Sequence, residues 1–152
     1  MPTPRKILVP FDFSSGAKRA FRYASDLARA LPRSELVLVH VVEPSLPLGS
    51  DFLQALGIRE VRPWRTKVEE ELGKLSRKKK SGPNLPVRTM VRLGRAFQEI
   101  VRAAKDVKAD LIVMGSTGYN SAHASILGST VQRVAREAPC PLLIVSPGPR
   151  AR

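Results

Sequence analysis

Short apolar runs alternate along this chain with stretches in which apolar residues recur every three or four positions. Lys6-Ile7-Leu8-Val9-Pro10-Phe11 reads as a short buried strand. Ser14 or Ser15 can cap the helix that follows. Ala17, Ala20, Phe21, Ala24, Leu27, Ala28 and Leu31 lay one apolar face along that helix, and Pro32 ends it. A second strand covers residues 35–42, apolar throughout except at its charged first residue and at His40, and Pro44 stops it. Residues 45–50, rich in Pro, Ser and Gly, read as loop, and residues 52–77 as a charged helical stretch with a break at Gly57 or Pro63. A turn cluster at 81–84 precedes a strand at 87–93, which Gly94 closes. Phe97, Ile100, Val101 and Ala104 form the next helical face, and residues 111–114 a fourth strand. Val131, Val134, Ala135 and Ala138 mark a fourth helix before a last strand at 141–146.

The order is β-α-β-α-β-α-β-α-β. Strands that are apolar on both faces and alternate with helices specify a parallel sheet covered on both sides. The fold class expected is α/β, an open, doubly wound, five-stranded parallel sheet with helices on both faces. In such sheets ligands bind outside the carboxyl ends of the strands, where the winding direction switches. No repeat or heptad pattern interrupts the chain, so residues 1–152 read as a single domain.

Composition narrows the classes. Hydrophobic residues make up 43% of the 152, enough for a packed core. No apolar run approaches the ~18 residues of a membrane span, and a cytoplasmic protein is expected. The single cysteine, Cys140, has no partner for a disulfide or a CxxC site and reads as a small core residue. Lys and Arg number 26 against 13 acids, a net charge of +13. Nucleic acid or an anionic lipid is the partner such a balance suggests. Residues 59–80 hold nine basic and four acidic residues, with Trp64 the nearest aromatic. That spread suits a solvated surface better than a base-stacking one.

Three groups fall at carboxyl ends of strands. Asp12, after the first strand, can accept hydrogen bonds from ribose hydroxyls or serve the first turn of the helix beside Ser14 and Ser15; both readings stand. At the end of the second strand, backbone groups can bond an adenine edge while Val41 packs on the ring, and His40 reads as strand core. The third group is Gly115-Ser116-Thr117-Gly118, nine residues, then Gly128-Ser129-Thr130. Glycines at a strand exit admit a ligand close to the backbone, and a helix start offers N–H groups to an anion. The combination describes a phosphate cradle. No P-loop lysine motif, no G-x-G-x-x-G after the first strand, no G-x-S-x-G elbow and no metal-ligand set accompanies it.

The chain resembles the universal stress protein family along nearly its full length. The residues that carry the resemblance are 6–14, Leu38-Val39-His40-Val41, residues 109–116, Gly128-Ser129-Thr130 and residues 138–145. The G-x2-G-x9-G-[S/T] pattern of the family's ATP-binding subset is intact at Gly115, Gly118, Gly128 and Ser129. The resemblance implies a flavodoxin-like, adenine nucleotide alpha hydrolase-like sheet and a homodimer joined along the last strand, residues 141–146. It implies a site for ATP, ADP or AMP. Asp12 would hold the ribose, Val41 the adenine, and Pro10 would shape the loop. Met114 and Gly115 would line the ribose and phosphate path, and Gly118, Gly128, Ser129 and Thr130 would hold the phosphates. Family members often carry Lys or Arg between the second and third glycines, whereas residues 119–127 here contain neither. Against the roughly four negative charges of ATP, either Mg²⁺ helps, cations come from elsewhere, or affinity is modest.

The leading expectation is a nucleotide-dependent regulator in the stress response, at most a slow ATPase, with no catalytic residue assigned. The alternatives are a nucleotide-free scaffold or adaptor, and a weak nucleic-acid binder through residues 59–80. Residues 46–65 are a candidate lid.

Overall fold

The computed structural model describes residues 3–43, 62–77, 85–118 and 127–148. The loop at 45–50, the helical stretch before Arg62, the turn cluster at 81–84, Lys78, Lys79 and Lys80, and the lid candidate up to residue 61 lie outside the described residues, as does the cation-free loop except Leu127.

Five strands form one parallel sheet: β1 (Lys6–Pro10), β2 (Glu35–Val42), β3 (Val87–Leu93), β4 (Leu111–Gly115) and β5 (Leu142–Val145), ordered β3-β2-β1-β4-β5. Winding therefore reverses between β1 and β4, as a doubly wound sheet requires. Among the described residues four helices accompany the sheet: α1 (Ser15–Ala30), α2 (Arg62–Arg77), α3 (Ala96–Val107) and α4 (Ser129–Glu137).

Each inner strand divides its side chains between two cores, as a period of two dictates. Ile7, Val9, Leu36, Leu38, Leu111 and Val113 meet the face of α1 and Val68 of α2. Leu8, Val37, Val39, Ile112 and Met114 meet Ile100, Ala103, Ala104 and Val107 of α3 and Val131 and Val134 of α4. Burying one such aliphatic side chain stabilises the fold by about 1.5–3 kcal/mol.

Several boundaries differ from expectation. β1 ends at Pro10, although the Phe11 N–H still donates to the Val39 carbonyl at 2.8 Å. β4 runs on to Gly115, and β5 is shorter than expected at both ends. Ser14 caps α1, its Oγ accepting the Ala17 N–H at 3.0 Å. The helix stops at Ala30 and Leu31 is extended, because a residue before proline is driven out of the helical region. Pro63 is the second residue of α2, where a missing N–H costs nothing, and the alternative break at Gly57 lies outside the described residues. Ala135 is exposed and Ala138 is the α4 C-cap, so the nine-residue helix buries only Val131 and Val134. Gly94, which ends β3, has φ 146°, a conformation closed to most side chains.

At the amino ends of the strands, Asp110 Oδ2 accepts the backbone N–H groups of Arg5 and Lys6 at 3.0 and 2.9 Å. Ser34 Oγ donates to the Pro4 carbonyl at 2.8 Å. Cys140 is half-buried against the α3–α4 core rather than fully inside it. Burial, with the Asp110 carboxylate second, pushes its thiol above the ordinary 9.0, which disfavours the reactive thiolate.

Candidate functional site

A cleft of about 510 Å³ opens at the carboxyl ends of β1, β2 and β4, beside the reversal point of the sheet. Its apolar part is walled by Val39 and Val41 of β2, Ala96 and Ile100 of α3, and Met114 of β4. Its polar part is lined by Asp12, Thr117, Gly118, Gly128, Ser129 and Thr130. Glu43 stands at the edge, with Oε1 accepting the Ala96 N–H at the start of α3 at 2.5 Å.

The glycines are needed for two different reasons. A Cβ on Gly115 would lie 2.7 Å from the Gly16 carbonyl carbon, and one on Gly16 would lie 2.5 Å from the Thr117 carbonyl oxygen. These two glycines let the first turn of α1 touch the end of β4, backbone on backbone. Gly118 instead faces the cleft, and a Cβ there would stand 3.0 Å from Asp12 Oδ2. Gly128 is the N-cap of α4, fixed by its N–H to the Ser116 carbonyl at 2.9 Å. It brings no side-chain cap, so the N–H groups of the first α4 turn have no intrahelical acceptor and no side-chain cap among the described residues. That end of the helix carries partial positive charge.

Asp12 combines two roles that the sequence left open. Oδ1 accepts the Ser14 N–H at 3.0 Å, which fixes the residue that caps α1. The carboxylate still lines the cleft. Between them, Phe13 turns the chain at φ 67°.

A family model, that of the universal stress protein family, matches residues 3–146.

The chain belongs to the universal stress protein family.

A universal stress protein of Thermus aquaticus is 37% identical over 144 residues, covering 93% of this chain and 98% of the relative. The solved structure of a universal stress protein from Lactobacillus plantarum matches with a TM-score of 0.73 and 28% identity over 93% of this chain and 97% of that one. The fold is also shared, at a TM-score of 0.60 and 21% identity over 95% of this chain and 100% of that one, with a universal stress protein from Archaeoglobus fulgidus solved in complex with dAMP.

In this member of the universal stress protein family, the nine residues singled out in sequence, Pro10, Asp12, Val41, Met114, Gly115, Gly118, Gly128, Ser129 and Thr130, all line the one cleft. His40 does not line it. Its ring is buried and its Nδ1 lies 2.7 Å from the Phe11 carbonyl oxygen. Glu43, Ala96, Ile100 and Thr117 were missed. Thr117 sits inside the glycine motif, and Glu43 continues the two-residue step from Val39 through Val41. Both signals were present. The charges of the lining are the carboxylates of Asp12 and Glu43, and no Lys or Arg is among the described lining residues. No group of three or more His, Cys, Asp and Glu that could hold a metal ion occurs among the described residues.

Proposed function

We propose that this cleft binds an adenine nucleotide and that the protein acts in the stress response as a nucleotide-dependent regulator. The observation that carries the reading is convergence. Residues from four separate stretches of sequence, after β1, on β2, after β4 and at the start of α4, line a single cleft whose volume suits a small ligand. An apolar slot beside Val41 suits a purine, Asp12 suits ribose hydroxyls, and the start of α4 suits a phosphate. The dAMP bound by the Archaeoglobus fulgidus relative supports an adenine ligand. The reading is of a binding protein and assigns no catalytic residue.

The lining favours a ligand with few charges. Two carboxylates and partial helix charge do not offset a triphosphate, so ATP is read as binding with Mg²⁺ and AMP without it. The same observation supports a second reading, an adaptor whose cleft stays empty and which works through protein contacts. Titration calorimetry with ATP, ADP and AMP, with and without Mg²⁺, separates the two; no heat at about 100 μM protein rejects nucleotide binding. Mass spectrometry of the freshly purified, denatured protein looks for carried nucleotide directly.

The proposal includes a homodimer joined along β5. Among the described residues that strand pairs only with β4, and Ile144 is 37% exposed on it. An open apolar edge calls for a covering partner. Sedimentation at micromolar concentration tests this, and a monomer rejects it.

A further inference from the structure

Asp12 sits at the middle of a loop only three residues long, Phe11 to Phe13, between β1 and the Ser14 cap, yet its carboxylate faces Gly118 across the cleft. Something must hold so short a loop in that pose. The residues on either side of Asp12 both meet the ring of His40, which comes from β2. The His40 Nδ1 is 2.7 Å from the Phe11 carbonyl oxygen. A carbonyl only accepts, so Nδ1 carries the proton. Phe13 packs edge-on against the same ring, with centroids 4.9 Å apart, and edge-on against Phe11 at 5.3 Å.

Phe13 has φ 67°, a conformation that side chains other than Gly, Asn and Asp seldom adopt. Such a residue persists where its surroundings over-determine it. Here the surroundings are His40, Phe11 and the Lys67 ammonium, 4.8 Å from the Phe13 ring centroid. The left-handed turn brings the Ser14 N–H back onto Asp12 Oδ1 at 3.0 Å. His40 is only 7% exposed, and among the described residues the charged groups Asp12 and Lys67 act on it.

We infer that His40 is the positioning residue for Asp12: its Nδ1–H pins the carbonyl before Asp12 and its ring braces Phe13 after it, so that the carboxylate is presented to the ribose hydroxyls. This rests on the nucleotide reading and names a residue that sets ribose recognition without touching the ligand.

The test compares AMP with 2′,3′-dideoxy-AMP by calorimetry. The wild-type protein is expected to prefer AMP by about tenfold or more, the worth of one hydrogen bond to a carboxylate. His40→Leu is expected to reduce that preference to about twofold while leaving the affinity for the dideoxy ligand in place. His40→Asn, whose amide N–H takes the place of Nδ1–H but which has no ring to brace Phe13, is expected to restore part of the preference. A His40→Leu protein that keeps the full preference, or loses affinity for both ligands equally, overturns the inference. Should His40→Leu not fold, ¹⁵N spectra of the wild-type imidazole decide: the Nδ1–H tautomer should be present and its resonance should move with AMP but not with the dideoxy ligand. A tautomer protonated at Nε2, or equal movement with both ligands, overturns it. A wild-type protein that binds neither ligand rejects the nucleotide reading itself, and this role with it.

Discussion

Gly118 and Asp12 face each other so closely that a methyl group on the glycine would reach to 3.0 Å from the carboxylate oxygen Oδ2. The glycine motif and the loop after the first strand, more than a hundred residues apart in sequence, are therefore two sides of one narrow opening. Gly118 is exposed and does not share the positive φ of Gly94. A side chain there is compatible with the backbone and incompatible with an open cleft. Gly118→Val is expected to abolish nucleotide binding while changing the free energy of unfolding by no more than about 0.5 kcal/mol, the usual range for a surface change. Binding at wild-type affinity overturns this.

The two glycines that touch backbone should behave in the opposite way. Gly16→Ala and Gly115→Ala each place a methyl group 2.5–2.8 Å from main-chain atoms. Neither neighbour is a flexible side chain, so α1 must move off β4. Each variant is expected to lose roughly 1–3 kcal/mol of stability. Urea denaturation followed by circular dichroism measures it, and an unchanged midpoint shows the contact to be looser than described.

Nucleotide charge gives a third expectation. With only carboxylates as charged groups in the described lining, ATP should gain at least about tenfold in affinity on adding Mg²⁺. AMP should gain little. Equal affinities for ATP with and without the metal would point to a cation outside the described lining.

Acid should weaken the fold through His40. Burial, the largest influence, holds its pKa below the ordinary 6.5, against opposing pulls from the Phe11 carbonyl and Asp12, while Lys67 lowers it further. Above pH 6.5 the imidazole is neutral both folded and unfolded, and the group makes no pH-dependent contribution. As the pH falls through 6.5 the unfolded chain takes up a proton that the folded one refuses, so stability drops until the lower folded pKa is passed. The decline in melting temperature below about pH 6.5 should be shallower in His40→Asn. Parallel wild-type and variant curves overturn the assignment.

Much of this was legible in the residues. Ile7-Leu8-Val9 and Leu36-Val37-Leu38-Val39 show no polar alternation, which is how a strand between two helical layers must read. The cleft residues were legible because glycines, Asp12 and a helix start carry strong chemical signals. Gly16 was not, since the chain shows a small residue in a first helical turn and not the carbonyl of Thr117 against it. Ala96 and Ile100 read as ordinary core, because a purine-sized slot and a helix–sheet core use the same side chains. Phe13 was invisible for a third reason: its left-handed backbone comes with packing against His40, Phe11 and Lys67, and no residue type announces it.

The bonds at the amino ends of the strands have a consequence of their own. Asp110 clasps the backbone at Arg5 and Lys6, and Ser34 clasps it at Pro4, so that end of the sheet is riveted by side chains as well as by its ladder. The cleft end is finished by an α4 terminus that no side chain caps among the described residues. One edge of the molecule is thus a hinge plate and the other a jaw. Whatever a ligand alters should be confined to the jaw, leaving the plate as the fixed frame against which a second protein could sense the change.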